Sequence, residues 1–394
     1  MHFAGCIQSF RQRLNGQALF LAALGALLLL SEVFSSSIQS SLPLFSTMAR
    51  AALTGFAVLT LLLKCAFYTQ YTGRRQRVLI AAVLAYAAFA AWYGGDRWFF
   101  LTALLAVGAY GVDLRTALKL YLGIAAAGLV LVQLLHLCTP LIPYKFYCRN
   151  WDFGYGHYNG YGARLLGVFL AWAWLRWPRL RWFDWLGLVG LLFYTALAPT
   201  SRGAVGAMLI LLVLILLQKV LPRFFSGRLW QGVLLALWPL FTAASMACGY
   251  LYDPARPDAT PFLRRISVLL SGRFEIWHNV FWQTPASVLG GLPTDGDEHH
   301  AMDNAYLAIF MNKGILGAVL VAALYLLLLW RLCKNRHTGE TLCLCALLFY
   351  CLMENKLFLV ASNPLFLLLP CVFFWPPDGR LGVVSPPPAP PQNS

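Results

Sequence analysis

Apolar runs long enough to cross a bilayer recur along almost the whole chain, and no other feature restricts its fold as much. They lie near 17–34, 43–68, 78–93, 97–112, 118–138, 163–177, 182–198, 204–221, 230–250, 314–330, 341–353 and 357–375. A helix needs about 20 predominantly apolar residues to span the hydrocarbon core, and shorter runs can be tilted or buried in a bundle. The expected fold is therefore all-α: a polytopic transmembrane bundle of about twelve helices. Only 11% of the residues are charged, against about a quarter in a soluble domain. Residues 1–380 are thus expected to form one membrane domain with no separate soluble unit. The Pro-rich end "SPPPAPPQNS" makes 381–394 a disordered cytoplasmic tail. Arg11 and Arg13 precede a first run that is long and followed by others, which favours an uncleaved helix over a signal peptide.

The net charge of +15 would point to nucleic acid in a soluble protein. Here the basic residues sit in short loops between apolar runs, which is a topology signal instead. With a cytoplasmic N-terminus, "TGRRQR", "LRWPRLR", "QKVLPRFFSGR" and "WRLCKNR" all fall on the cytoplasmic side, and so does the C-terminus. Two substantial segments are then left outside, about 139–162 and 251–313. The second carries Arg256, Arg264, Arg265 and Arg273 against the usual charge bias. An anionic ligand on the outer face is the simplest requirement for them. The ten cysteines show no zinc spacing and read mainly as small buried side chains. No GxxxxGK[ST] loop and no GxGxxG after a strand is present, so nothing points to ATP or a dinucleotide.

Four stretches could carry chemistry. In "APTSRGAVGAMLILL" (198–212), Pro199 and Thr200 stop one helix and Ser201 can cap the next. Arg202 then stands at a helix N-terminus at the membrane interface. It either snorkels to lipid head groups or joins the helix N–H groups in holding a phosphate. The stretch "FLRRISVLLSGRFEIWHNVFWQ" (262–283) is amphipathic and breaks at Ser271-Gly272. Arg273, Trp277, Val280 and Phe281 share the buried face of its second half. A buried cation needs an anionic partner, and Glu275 or a ligand could supply it. Arg264 and Arg265 are placed to meet lipid phosphates.

In "DEHHAMDNAYLAIFMNKGILG" (297–317), Asp303 could be a helix N-cap and Asn304 a turn residue. Asp295, Asp297, Glu298, His299 and His300 could approach a divalent cation, but "DGD" is too short to be specific, and no metal site or cofactor is assigned. In "GYGHYNGYGARLLG" (154–167), His157, Tyr158, Asn159 and Tyr161 beside glycines suit a sugar-binding loop. They equally suit an interfacial aromatic belt.

In this order the stretches resemble the O-antigen ligase and O-antigen polymerase family of bacterial inner-membrane glycosyltransferases. The likeness covers residues 150–320 by motif and the whole chain by layout, including a large periplasmic loop between the ninth and tenth helices. It implies transfer of a glycan from undecaprenyl diphosphate to an acceptor hydroxyl at the periplasmic face. The acceptor is another lipid-linked glycan for a polymerase and the lipid A core for a ligase. Arg202 matches the Arg of the family's "SRG", and Arg273 the loop Arg that precedes a Trp. Asn304, nine residues and then Gly314 and Gly317 match the ligase spacing, but Asp303 stands where a ligase has His. Asp-Asn-x-Tyr at this place looks more like polymerases, and His300 is the alternative source of an imidazole.

On that likeness Arg202 and Arg273 hold the diphosphate and stabilise the leaving oxygen, while Asp303 or His300 takes the acceptor's proton. Substrate contact is expected from Arg264, Arg265, His157, Asn159, Tyr161, Asn304 and Tyr306. The partners are then the lipid-linked glycan, its acceptor and the bilayer, with no nucleic acid. A transporter or flippase of lipid-linked sugars is the rival of another class. Against it, the chain shows no internal repeat and its largest loop is outer and late.

Overall fold

A computed structural model of the protein describes residues 15–69, 71, 73–147, 150–177, 179–283, 287–290 and 302–374. His300, its neighbours 295–299 and the Pro-rich tail lie outside the described residues, as do Arg11, Arg13 and Cys148.

The longer helices are α1 (Gly16–Glu32), α2 (Pro43–Phe67), α3 (Arg74–Tyr93), α4 (Arg97–Gly108), α5 (Leu114–Cys138), α6 (Tyr158–Arg176), α7 (Trp182–Leu197), α8 (Arg202–Val220), α9 (Arg228–Leu251), α10 (Pro261–Leu269), α11 (Arg273–Gln283), α12 (Ala305–Lys334) and α13 (Thr338–Tyr350). Among the described residues the strands are two dipeptides, β1 (Phe146–Tyr147) and β2 (Asn150–Trp151), paired antiparallel. Among the described residues six helices are long and apolar enough to cross a membrane: α2, α3, α5, α8, α9 and α12. Large apolar side chains also cover much of the outside. Leu44, Leu197 and Val220 are each more than 70% exposed, a surface suited to lipid rather than water.

Contacts between chain turns define two ends. At one, Lys64 Nζ donates to the Tyr110 carbonyl (2.5 Å), Gln76 to the Phe373 carbonyl (2.8 Å) and Trp174 Nε1 to Glu340 (3.2 Å). The four basic clusters all lie at or beside this end. At the other end, the Ser37 N–H donates to the Gly154 carbonyl (2.7 Å), Thr200 Oγ1 to Asn150 (2.7 Å) and Ser201 Oγ to Asn159 (3.0 Å). Lys313, 3% exposed, pairs there with Asp96. The basic clusters thus share one end of the bundle, and the 139–162 segment stands at the other.

Three expectations about elements change. The run 357–375 is not one helix. It holds a 3₁₀ turn (Pro364–Leu368) and a short helix (Pro370–Phe373), both buried. Pro364 and Pro370 each lack the N–H a continuous helix needs, and Asn363 caps the turn by accepting from Leu365 N at 2.9 Å. Next, α6 begins at Tyr158, so Asn159 and Tyr161 stand on its first turn rather than in a pliable loop. Last, α12 starts at Ala305, well before the apolar run, and folds sharply at Gly314 (φ 68°, ψ −179°). Tyr306 and Tyr325 both pack on Trp238 with centroids 5.1 Å away. A straight helix would set those two tyrosines roughly 28 Å apart. The N–H groups released by the fold go to the preceding loop, Ile315 to the Ser287 carbonyl (3.0 Å) and Leu316 to that of Val288 (3.1 Å).

Only glycine holds the backbone region found at Gly314 without strain of about 1–3 kcal/mol, and a Cβ there would also collide with the Gly290 backbone. Gly314→Ala is accordingly expected to lower the unfolding temperature of the detergent-solubilised protein by several degrees. An unchanged transition would show that the two arms of α12 do not need this turn.

Candidate functional site

The site lies at the end of the bundle away from the basic clusters. Its framework is the break that Ser271 and Gly272 make between α10 and α11, both with positive φ (64° and 78°). This turn presents Arg273 as the first residue of α11, with Phe274, Trp277 and Val280 buried along the same helix. They pack on Tyr252, Met302, Leu307, Ala308 and Met311 in a small apolar cluster separate from the main core. The face expected from the sequence is thus the buried face.

Arg273 is 9% exposed and binds two carboxylates, neither of them Glu275, which is exposed. Its Nη2 donates to Glu354 Oε1 at 2.8 Å, and its Nη1 lies 2.7 Å from Asp303 Oδ2. The approach to Asp303 is close but poorly aligned as a hydrogen bond. Trp277 Nε1 completes the set by donating to Asp303 Oδ1 at 3.0 Å. Burial raises the pKa of Asp303, with the Arg273 charge opposing it. Burial likewise raises that of Glu354, again opposed by Arg273. One guanidinium therefore faces two carboxylates that both resist ionisation. The Asp303 side chain is 21% exposed and that of Glu354 7%, so Asp303 is the more accessible of the two.

Asp303 is not the helix cap. That role belongs to Asn304, whose Oδ1 accepts from Leu307 N at 3.1 Å while its Nδ2 donates to Ser245 Oγ (2.8 Å) and the Leu352 carbonyl (3.2 Å). Asn304 is fully buried, so it anchors α12 to α9 and to the turn after α13.

Arg202 opens α8 and is exposed. Its Nη1 reaches the Leu269 carbonyl and Ser271 Oγ only at 3.5 and 3.4 Å. Such contacts are at the outer limit of hydrogen bonding, and Arg202 has no ion pair among the described residues. Arg202 and Arg273 line one cavity of about 430 Å³, together with Asn150, Tyr158, Asn159, Thr200 and Ser271. Gly203, Gly206, Phe349 and Met353 add an apolar wall to it. Four non-glycine residues with positive φ occur among the described residues, and two of them, Thr200 (51°) and Ser271 (64°), line this cavity. Backbone held in this region costs about 1–3 kcal/mol and tends to mark functional sites. A Cβ at Gly162 would strike Ser201, so this glycine lets α6 approach the start of α8 and bring Asn159 to the cavity.

The remaining expected residues divide. His157 caps α6 through Nδ1, which accepts from Asn159 N at 3.0 Å. Tyr161 is 3% exposed, stacks with Phe153 and Tyr155, and has its hydroxyl 3.0 Å from that of Tyr194. Tyr306 is 2% exposed and donates to the Leu348 carbonyl at 2.8 Å. Both tyrosines serve packing. Arg264 and Arg265 are exposed on α10, and Arg264 pairs with Asp258. Glu354 was missed. Its only signal is that "ENK" interrupts two apolar runs.

Comparison with protein-family models, with characterised proteins and with solved structures finds no significant match. The fold and site define the class: an all-α protein with membrane-length helices and, at one end, an open cavity lined by two arginines beside a pair of carboxylates.

Proposed function

We propose that this protein is a bacterial inner-membrane glycosyltransferase. It transfers a glycan from undecaprenyl diphosphate to a sugar hydroxyl at the periplasmic face, as an O-antigen polymerase. One observation supports this above the others. Arg202 and Arg273, from segments far apart in sequence, meet at one cavity whose polar rim adjoins an apolar wall. That is the polarity of a lipid-linked diphosphate. In this reading the chain passes the membrane about twelve times with both termini cytoplasmic, the last pass being the broken segment after α13.

The bond from the anomeric carbon to the diphosphate oxygen breaks, and its electron pair leaves with the lipid diphosphate. Arg202 offers an uncommitted fork to that charge, and Arg273 offers the N–H groups its carboxylates do not use. The acceptor oxygen forms the new bond and its proton passes to Asp303. Glu354 holds Arg273 in place.

The ligase alternative draws on the nine-residue interval from Asn304 to Gly314, which here spans the first arm of α12. Proteoliposomes loaded with lipid-linked glycan test the reading. A transferase lengthens or relocates the glycan, whereas movement across the bilayer at constant length would mean a carrier. In a deletion strain, lipopolysaccharide with one repeat on the core indicates a polymerase, and bare core indicates a ligase. For sidedness, Glu275→Cys in a Cys138→Ser, Cys148→Ser background is expected to react with a membrane-impermeant thiol reagent once the outer membrane is permeable. Arg75→Cys in that background should stay unlabelled until the inner membrane is lysed, and the reverse pattern would invert the assignment.

A further inference from the structure

The basic end carries a second cavity of about 430 Å³, between the starts of α5, α7 and α13 and the end of α6. Arg115, Arg176, Arg179 and Arg181 line it, with Trp174 and Trp177 as its aromatic wall. Two carboxylates also face it, but both are already supplied with donors. Asp113 accepts from Arg115 N (3.2 Å) and Thr116 N (3.1 Å), and Glu340 accepts from Trp174 Nε1 (3.2 Å). Arg176 is neutralised by Asp184, its Nε standing 2.9 Å from Oδ1. Arg115, Arg179 and Arg181 are exposed and have no ion pair among the described residues. Three guanidiniums therefore converge on one concave surface without an ion pair among the described residues, and with the four arginines set against two carboxylates the lining keeps an excess of positive charge.

Tryptophans concentrate at the level of lipid head groups, and Trp182, next in the chain to Arg181 of the lining, is 77% exposed. Basic pockets at this level between membrane helices suit head groups bearing phosphates. We infer that this cavity binds the head group of an anionic phospholipid carrying two phosphates, with its acyl chains along the exposed apolar surface of α7, where Leu186 and Phe193 are 67% and 59% exposed. Three forks exceed what one phosphodiester needs, because each guanidinium pairs a phosphate in bidentate fashion. The inference does not depend on the transferase reading.

Native mass spectrometry of the full chain in detergent, titrated with diphosphatidylglycerol, tests it. The wild type is expected to retain one lipid through activation that strips the rest. Arg115→Ala, Arg179→Ala and Arg181→Ala together should weaken that binding on the order of 100-fold, from the contribution of each cation near an anionic head group. A control triple, Arg74→Ala, Arg75→Ala and Arg77→Ala, removes equal charge from exposed positions at the same end and should bind as the wild type does. Phosphatidylglycerol should bind more weakly, and millimolar inorganic phosphate should not compete. Equal loss in both triples would reduce the site to diffuse surface charge, and binding undiminished in the first triple would remove it. Competition by inorganic phosphate would make it a site for free phosphate instead. Thermal unfolding of each variant confirms that the comparison is between folded proteins.

Discussion

Arg273→Ala is expected to abolish transfer and to destabilise the protein by about 3–5 kcal/mol, the usual penalty for removing one partner of a buried ion pair. The guanidinium separates Asp303 and Glu354, at 2.7 and 2.8 Å, in a setting where its own side chain is 11% exposed. Without it two carboxylates are left together, with only the Lys356 charge still acting on Glu354. Arg273→Lys should recover part of the stability and little of the transfer, because one ammonium cannot span both carboxylates as a planar fork does. The triple change Arg273→Met, Asp303→Asn and Glu354→Gln separates stability from chemistry. Removing all the charges at once should restore most of the unfolding temperature and leave transfer absent. Thermal unfolding in detergent, read beside glycan length in proteoliposomes, measures both. Full transfer by the Lys variant would end the assignment of Arg273 to the diphosphate.

The second large effect is at Asp303. Asp303→Asn leaves Arg273 matched one to one with Glu354, so stability should change little. Asn cannot take a proton, and transfer should fall roughly 100-fold or more. An active Asn variant would sink the assignment and move attention to His300. Asp303→His restores a group able to accept a proton and is expected to keep more activity than Asn. Because burial raises Asp303 and only its ionised form acts as a base, transfer should increase with pH along a limb above the ordinary carboxylate range. Glu354→Gln removes a like charge and turns Arg273 wholly to Asp303, so the same limb should shift to lower pH. A limb that stays in place would detach Glu354 from the chemistry. Asn304→Ala provides a contrast: it removes a cap and two buried hydrogen bonds, so it should lower stability by more than the roughly 1 kcal/mol of a cap alone.

Adjacent Asp303 and Asn304 show why the site was only partly legible. Both residue types cap helices well, and nothing local distinguishes them. The distinction comes from what lies across space. Arg273 draws Asp303 out of the capping position, while Ser245 and the Leu352 carbonyl receive Asn304. Tyr161 beside glycines and Tyr306 in the Asp-Asn-x-Tyr stretch read as substrate contacts because tyrosine at a membrane interface and tyrosine in a core have the same sequence signature. Their burial was settled by Phe153, Tyr155 and Trp238, which the neighbouring residues do not specify.

What the amino-acid order determined by itself is local. Most of the apolar runs become helices, six of them of membrane length among the described residues, because lipid offers the backbone no other partner. Basic clusters mark one end of the bundle because charge follows loops. Ser271-Gly272 separates α10 from α11 because its backbone takes positive φ. What only the tertiary structure decided is partnership. Glu275 is the nearest carboxylate in sequence, but two residues along a helix its side chain faces away from Arg273, which binds Asp303 before α12 and Glu354 after α13. A buried charge settles with whichever opposite charge the packed helices bring within hydrogen-bond reach, and distance along the chain carries no information about that.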